Sequence, residues 1–166
     1  MPQSTQDSSP EIFRARIAKA QQAMKEFSLR AIVLEPGPAM MYLTGVRWGR
    51  SERTFAVVLT ETGEPAYVLP GFEEMRAREL IKVGDDIRVW QEDESPFQAV
   101  AEILRDRGVA LGRVGVEDSV RFFVFDGIRN HSRRQAAKLE YVSAEPALKS
   151  AGVDISPPPP RGGRKQ

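Results

Sequence analysis

Short apolar runs alternate with amphipathic segments through most of this 166-residue chain. Residues 31–34 are all apolar, which is typical of a strand buried on both faces. Phe13, Ile17 and Met24 precede this run at helical spacing. Further strand-like runs occupy residues 54–60, 66–69, 87–90, 114–116 and 139–142. This alternation predicts a single α/β domain in which helices flank a mixed sheet of about five or six strands.

Helix-capping residues indicate where several of the helices begin. Ser9, followed by proline, predicts the start of the first helix, and residues 95–98 have the form of a capping box. We expect Asp118 or Ser119 to cap the helix that carries residues 122–128. These caps place helices between the predicted strands, as an α/β domain requires.

A hairpin and a further helix are predicted in the middle of the chain. Residues 61–65 (Glu-Thr-Gly-Glu-Pro) have the composition of a hairpin loop. A helix is predicted over residues 72–81, with Met75 and Leu80 facing the core.

Composition excludes several classes of function. The formal net charge is +1, which gives no overall field to attract nucleic acid or an anionic membrane. Cysteine is absent, so disulfides, thiolate metal sites and cysteine nucleophiles are excluded. The chain has no secretory signal and no apolar run long enough to span a bilayer. We therefore expect a soluble, cytoplasmic domain that binds neither nucleic acid nor membrane.

The ends of the chain differ in composition from its middle. Residues 1–9 are polar, and we expect them to be disordered. Residues 10–146 carry the strand and helix patterns and form the predicted domain. Residues 147–166 include four consecutive prolines and a basic end, which predicts a disordered tail.

Four short segments carry a resemblance to a known family. They are Tyr42-Leu43-Thr44-Gly45, residues 68–73 (VLPGFE), residues 89–94 (VWQEDE) and residues 114–117 (VGVE). Their order and spacing resemble the N-terminal domain of the creatinase, prolidase and aminopeptidase P family. The resemblance covers nearly all of the predicted ordered region.

The resemblance implies a mixed-sheet α/β domain that helps subunits associate and walls the substrate entrance. In the family, a second domain binds two divalent metals through two aspartates, one histidine and two glutamates, and the substrate is a peptide or creatine. Those motifs are missing here and His131 is the sole histidine, so we assign no catalytic residue, metal ligand or cofactor to this chain. The expected partner is a second copy or a family-related subunit.

The sequence departs from the family pattern near its end. Leu148-Lys149-Ser150 resembles the beginning of the segment that leads into the family's catalytic domain, but Val153 stands where a glutamate is expected. A proline run follows. We therefore hypothesise a truncated or frameshifted product, or a cut gene model.

The loop over residues 47–53 (RWGRSER) is the strongest candidate site. Arginine suits carboxylate recognition because its planar fork donates two parallel hydrogen bonds. Trp48, Arg50, Arg53 and the preceding Tyr42 are the candidate substrate contacts, with Arg53 the nearest equivalent of a residue that reaches a neighbouring active site in some family members. The alternative is a solvated loop, with Trp48 packed on the domain or at a dimer contact.

Two other clusters have structural interpretations that we favour. Residues 92–94 are three acids that could bind a hard cation, but a solvated loop before a helix explains them better. Asp126, His131 and Ser132 contain the residue types of a hydrolytic triad, but they lie too close in sequence to form one readily. His131 is instead expected near a helix C-terminus.

Three functional hypotheses follow. The leading one is a non-catalytic N-terminal domain of an Xaa-Pro metallopeptidase-like protein. The alternative is a standalone binding or regulatory module that pairs with a full-length relative. A third, an unrelated small hydrolase, would depend on His131.

Overall fold

A computed structural model describes residues 9–153, which form a six-stranded mixed sheet with the strand order β4-β3-β2-β1-β5-β6. Strand β2 is antiparallel to its neighbours β1 and β3, and the pairs β3–β4, β1–β5 and β5–β6 are parallel. The strands are β1 (Leu29–Leu34), β2 (Ala56–Thr60), β3 (Ala66–Pro70), β4 (Asp86–Trp90), β5 (Leu111–Val116) and β6 (Lys138–Ser143). The predicted α/β class and mixed sheet are confirmed.

Helices cover both faces of the sheet. They are α1 (Pro10–Glu26), α2 (Pro38–Thr44), α3 (Glu74–Leu80), α4 (Pro96–Asp106), α5 (Phe122–Arg134) and α6 (Glu145–Ser150), and a 3₁₀ turn (Gly71–Glu73) precedes α3. Helices α1, α2, α3 and α6 contribute to the core on one face, and α4 and α5 contribute to the core on the other.

Strand β1 lies in the interior of this three-layer arrangement. Ile32 and Leu34 belong to the core under α1, whereas Ala31 and Val33 belong to the core under α4 and α5. All four are 0% exposed. A strand covered on both faces has no position for a polar side chain, which explains the continuous apolar run.

The Tyr42–Gly45 segment forms the last turn of α2 and its C-terminal cap. Gly45 adopts a left-handed conformation with a φ of 77°, and a Cβ there would lie 2.6 Å from the Phe13 ring. Only glycine satisfies both conditions, so this residue fixes how α2 packs against α1.

The helix starts match the predictions in part. Ser95 caps α4 by accepting a hydrogen bond from the Gln98 amide at 3.3 Å, as the capping box predicts. The prediction for α5 was wrong, because Arg121 occupies its N-cap position. The Arg121 amide instead donates to the carboxylate of Glu35 at 2.8 Å, so a distant side chain takes over the capping role.

The prediction that Met75 faces the core was also wrong. Met75 is 78% exposed, while Ala77 is the buried residue of α3 and Leu80 is partly buried. Helix α3 is only seven residues long and touches the core along a narrow stripe. Met75 lies outside that stripe.

The predicted domain boundary at residue 146 is too early. Helix α6 runs from Glu145 to Ser150, and Leu148, Ala151 and Val153 are buried in the core on the α1 face. Helices α1 and α6 contact one another, because the last apolar residues complete the cover of that face. The predictions for residues 1–8 and 154–166 concern segments outside the described residues.

Replacing Leu148 with alanine tests whether α6 belongs to the folded domain. Leu148 is 0% exposed, so we expect Leu148→Ala to lower the free energy of unfolding by about 2–5 kcal/mol. The exposed neighbour Lys149 supplies the control, and Lys149→Ala should change it by less than about 1 kcal/mol. Urea denaturation followed by circular dichroism measures both, and equal stabilities for the two variants would place α6 outside the cooperative unit.

Candidate functional site at the carboxyl ends of the strands

One edge of the sheet gathers most of the polar loop residues. Strands β1, β3, β4, β5 and β6 point the same way, so their carboxyl ends meet at this edge. Strand β2 runs the opposite way, and the loop from α2 therefore enters β2 at the same edge. The arginine-containing loop lies here as a result.

A topological switch point lies between β1 and β5. The two strands are adjacent and parallel, but β1 is followed by α2 on one face and β5 by α5 on the other. In α/β sheets a crevice opens outside such a pair and is the usual place for a ligand. In this domain, protein side chains occupy that region.

Glu35 and Arg121 form the central pair at the switch point. Glu35 follows β1 and is 1% exposed. Its Oε1 accepts from Arg121 Nη2 at 2.6 Å, and its Oε2 accepts from the Arg121 amide at 2.8 Å. A buried carboxylate needs such charged and backbone donors to offset its lost hydration. The two residues are 86 positions apart, and no sequence pattern indicates that they pair.

Arg50 holds the loop over residues 47–53 against the switch point between β1 and β5. Its Nε and Nη2 donate to the carbonyl oxygen of Pro36 at 3.2 and 3.0 Å. Its Nη1 donates to the carbonyl oxygen of Ser119 at 2.5 Å, and its Nη2 donates to Ser119 Oγ at 3.0 Å. These bonds join the segments after β1 and β5. The guanidinium of Arg50 is therefore directed at the protein itself.

Arg53 lies on a separate cleft at the ends of β3 and β4. Its guanidinium carbon is 4.6 Å from the centre of the Phe72 ring, and it forms an ion pair with Glu92. The cleft has a volume of about 240 Å³ and is lined by Arg53, Pro70, Gly71, Phe72, Trp90, Gln91 and Glu92. A partly exposed cation, an aromatic face and a carboxylate thus share one small concave surface, a combination that suits a short peptide with polar ends.

Trp48 packs on the domain and is not among the residues that line this cleft. Its ring centre is 4.7 Å from that of Phe55, and the guanidinium carbon of Arg76 lies 4.5 Å from the centre of the Trp48 ring. Trp48 is partly buried against the core. This packing is the structural alternative described from the sequence.

Tyr42 lies on the α1 side of the domain. The guanidinium of Arg16 is 4.1 Å from the centre of its ring and donates to its carbonyl oxygen at 3.0 Å. Tyr42 is partly buried against the core. The structure therefore does not place it among the residues that line the Arg53 cleft.

The acidic residues 92–94 do not form a metal site. Glu92 pairs with Arg53, and Glu94 accepts a hydrogen bond from the Gln91 amide at 2.8 Å. Within residues 9–153, no group of three or more His, Cys, Asp or Glu side chains is arranged to hold a metal ion.

Asp126, His131 and Ser132 do not form a triad. Ser132 Oγ bonds to the Ile128 carbonyl and to the Tyr141 hydroxyl, and Asp126 pairs with Arg129. His131 instead bonds through Nε2 to Ser95 Oγ at 3.2 Å. No nucleophile–base–acid order exists in this cluster, and His131 sits in the last turns of α5 as expected.

Comparison with known proteins decides the family. The model of the creatinase/prolidase N-terminal domain matches residues 16–151. The chain belongs to the creatinase/prolidase N-terminal domain family. An uncharacterized peptidase of Schizosaccharomyces pombe is 31% identical over 133 residues, which cover 72% of this chain and 28% of that protein. The chain thus spans less than a third of that relative's length.

Solved structures of related enzymes contain the same domain. Dipeptidase PepE from Mycobacterium ulcerans superimposes with a TM-score of 0.71 at 28% identity, over 84% of this chain and 36% of that one. The isolated creatinase/prolidase N-terminal domain of an X-Pro dipeptidase from Streptococcus pyogenes gives a TM-score of 0.61 at 16% identity, over 76% of this chain and 98% of that one. The second likeness shows the fold alone.

No helix in the described part of this creatinase/prolidase N-terminal domain is long and apolar enough to cross a membrane.

Removing Arg121 tests the buried pair of this creatinase/prolidase N-terminal domain. Arg121→Ala leaves the carboxylate of Glu35 buried without its cation, and we expect the free energy of unfolding to fall by about 3–5 kcal/mol. Arg78→Ala is the control, because Arg78 pairs with Glu74 on an exposed helix surface and should cost less than about 1 kcal/mol. Chemical denaturation compares the two variants, and similar losses would show that burial of Glu35 is not what makes the pair important.

Acidification should weaken the domain through His131. Burial, with repulsion from Arg134, lowers the pKa of His131 below its ordinary value. The unfolded chain then binds more protons than the folded one between the two pKa values, so stability decreases as pH falls below about 6.5. Urea midpoints measured between pH of about 7.5 and 5.5 should show this slope, and His131→Gln should reduce it. If the urea midpoint depends on pH equally in the unaltered chain and in His131→Gln, then His131 is not the source of the pH dependence.

Proposed function

We propose that this chain is a non-catalytic N-terminal domain of an Xaa-Pro metallopeptidase-like protein, in which it contributes subunit association and a wall of the substrate entrance. The observation that carries the proposal is the Arg53 cleft. Dipeptide substrates end in a carboxylate, and Arg53 presents a guanidinium at the rim of a small cleft with an aromatic floor.

Two arginines of the loop over residues 47–53 have different roles. Arg50 donates hydrogen bonds to Pro36 and Ser119, and these bonds hold the loop in place. Arg53 has one exposed partner, Glu92, whose side chain is 77% exposed. Exchange of this solvated ion pair for a substrate carboxylate costs little, because exposed pairs contribute little stability. Arg53 is therefore the residue we assign to the entrance.

Catalysis and metals are assigned to another part of the protein. The described residues do not fit the family's two divalent metals, since they offer no cluster of metal-ligating side chains. The cysteine-free composition of the chain suits a reducing compartment, and we propose the cytoplasm as its location.

A second candidate is a standalone regulatory module that pairs with a full-length relative. Phe72 and Met75 favour it, because they are 68% and 78% exposed beside the Arg53 cleft. Pull-down with a purified full-length relative tests the hypothesis of a standalone regulatory module. Loss of capture in a Phe72→Ser/Met75→Ser variant would support it, and no capture by the unaltered chain would refute it.

The purified chain should not hydrolyse Xaa-Pro dipeptides when Mn²⁺ or Co²⁺ is added. The reason is that residues 9–153 hold no metal-ligand group. A coupled assay for released proline measures this. Turnover that follows the chain through successive purification steps would overturn the proposed non-catalytic role.

A chimaera tests the entrance role of Arg53. Residues 9–153 would replace the corresponding domain of Mycobacterium ulcerans PepE, which shares the fold. In the chimaera we expect Arg53→Ala to raise KM about tenfold with little change in kcat. The reason is that Arg53 would bind the substrate equally well in the ground state and in the transition state. Arg14→Ala is the control, because Arg14 pairs with Glu64 on an exposed surface away from the cleft. Unchanged KM in an active Arg53→Ala chimaera would remove Arg53 from the entrance.

A further inference from the structure

We infer that the outer edge of β6 is a self-association surface, on which a second copy of this chain adds its own β6 antiparallel across a twofold axis. This inference rests on the association role proposed above and gives it a location. The resulting sheet would run continuously through both copies.

The backbone of β6 leaves one edge available. Within residues 9–153, β6 pairs with β5 alone. The amides of Lys138 and Ala144 donate towards the β5 side, to Ala110 at 2.8 Å and Val116 at 2.9 Å. Because successive residues of a strand alternate, the N–H and C=O groups of the odd-numbered residues Leu139, Tyr141 and Ser143 point to the outer edge.

The opposite edge of the sheet has a different character. Strand β4 carries Asp86 and Arg88, whose side chains bind one another and also Asp106 and Arg107 of the α4 end. Inward charges of this kind are a common protection against edge-to-edge pairing. Strand β6 also carries two charges, Lys138 and Glu140, but both are exposed, and Leu139, Tyr141 and Val142 lie beside them. Strand β6 is therefore the edge better suited to pairing.

The register is set by how many backbone groups of β6 can pair. A twofold axis perpendicular to the sheet keeps each face on the same side, so a residue can oppose only residues of the same parity. Centring on Glu140 would set two glutamates opposite each other, which is unfavourable. Centring on Leu139 would set Lys138 opposite Glu140 but would leave the backbone groups of Ser143 without a partner. Centring on Tyr141 sets Leu139 opposite Ser143 and Glu140 opposite Val142, so the backbone groups of all three residues that point to the outer edge form hydrogen-bonded pairs.

An exposed phenylalanine and a cavity lie on the same surface. Phe122, at the start of α5, is 69% exposed. A cavity of about 200 Å³ near the end of α5 is lined by Phe125, Arg129, Ser132, Arg133, Ala137, Leu139 and Tyr141. Antiparallel pairing sets the start of one α5 beside the end of the other, so Phe122 of each copy reaches the cavity of its partner. Arg129 Nε is buried there without a hydrogen-bond partner, and the Arg129 guanidinium already lies 5.0 Å from the Phe125 ring. A second aromatic ring suits this environment.

Charges on the surface are also self-complementary. Arg133 and Lys138 lie at the amino end of β6, whereas Glu117 and Asp118 lie at its carboxyl end. Antiparallel pairing places the basic end of each copy against the acidic end of the other. An isologous interface requires this kind of self-complementarity.

Sedimentation velocity of the full chain tests the surface. The unaltered chain should be a dimer, and Phe122→Lys should weaken the dimer by at least about tenfold in dissociation constant, because a lysine would face Arg129 and Arg133 in the partner's cavity. Met41→Lys is the matched control, because Met41 is an exposed apolar residue of α2, which packs on the other face of the sheet. Circular dichroism confirms that each variant is folded. A monomeric unaltered chain, or a dimer that Phe122→Lys leaves intact, would overturn the inference.

Cysteine cross-linking tests the register. The natural chain has no cysteine, so any disulfide must come from introduced residues. Glu140→Cys/Val142→Cys should form an intermolecular disulfide, because these positions oppose each other without hydrogen bonds. Glu140→Cys alone should not, since its two copies are diagonal in this register. A disulfide in the single variant, or none in the double variant, would overturn the proposed register.

These outcomes are separable from those of the proposed function. The KM of the Arg53→Ala chimaera tests the entrance role without reference to β6. Failure of the dimer tests would leave that result standing, and an unchanged KM would leave the β6 dimer standing.

Discussion

The buried carboxylate of Glu35 is the constraint on which the carboxyl edge of this domain depends. A charge in the interior must be paired and hydrogen-bonded, and Arg121 supplies both a guanidinium and a backbone amide. The start of α5 is therefore fixed over the end of β1. Arg50 donates hydrogen bonds to Pro36, which follows Glu35, and to Ser119, which lies just before Arg121. The loop over residues 47–53 is therefore fixed by the same cluster. Where many α/β domains leave a ligand crevice, this one has a closed polar cluster.

Much of the fold follows from local patterns. The apolar run at residues 31–34 predicts the central strand because both of its faces are covered, and the capping box at Ser95 predicts the start of α4 because its partner is three residues away. Met75 and Leu148 were misassigned for a common reason. Both belong to short helices whose buried stripe is set by neighbouring elements and not by their own periodicity.

The candidate site was predictable only in outline. The sequence indicates an arginine-rich loop, but it does not show which arginine is committed to the protein. Arg50 finds Ser119 across 69 residues, and Arg53 finds Glu92 across 39. Glu35 and Arg121 are 86 residues apart. Only the strand order brings such partners together, and nothing in the spacing of one sequence reveals it.

The pairing of β1 with β5 also governs when the domain can fold. Leu29 lies in register with Arg113, and Glu35 has no cation until Arg121 has been synthesised. Strands β1 to β3 lie within residues 29–70 and can pair before β5 is synthesised, but β1 then retains an open edge and an unpaired acid at its end. Contacts so distant in sequence form slowly. A nascent chain is therefore expected to complete its central strand only after β5 and the first residues of α5 have left the ribosome.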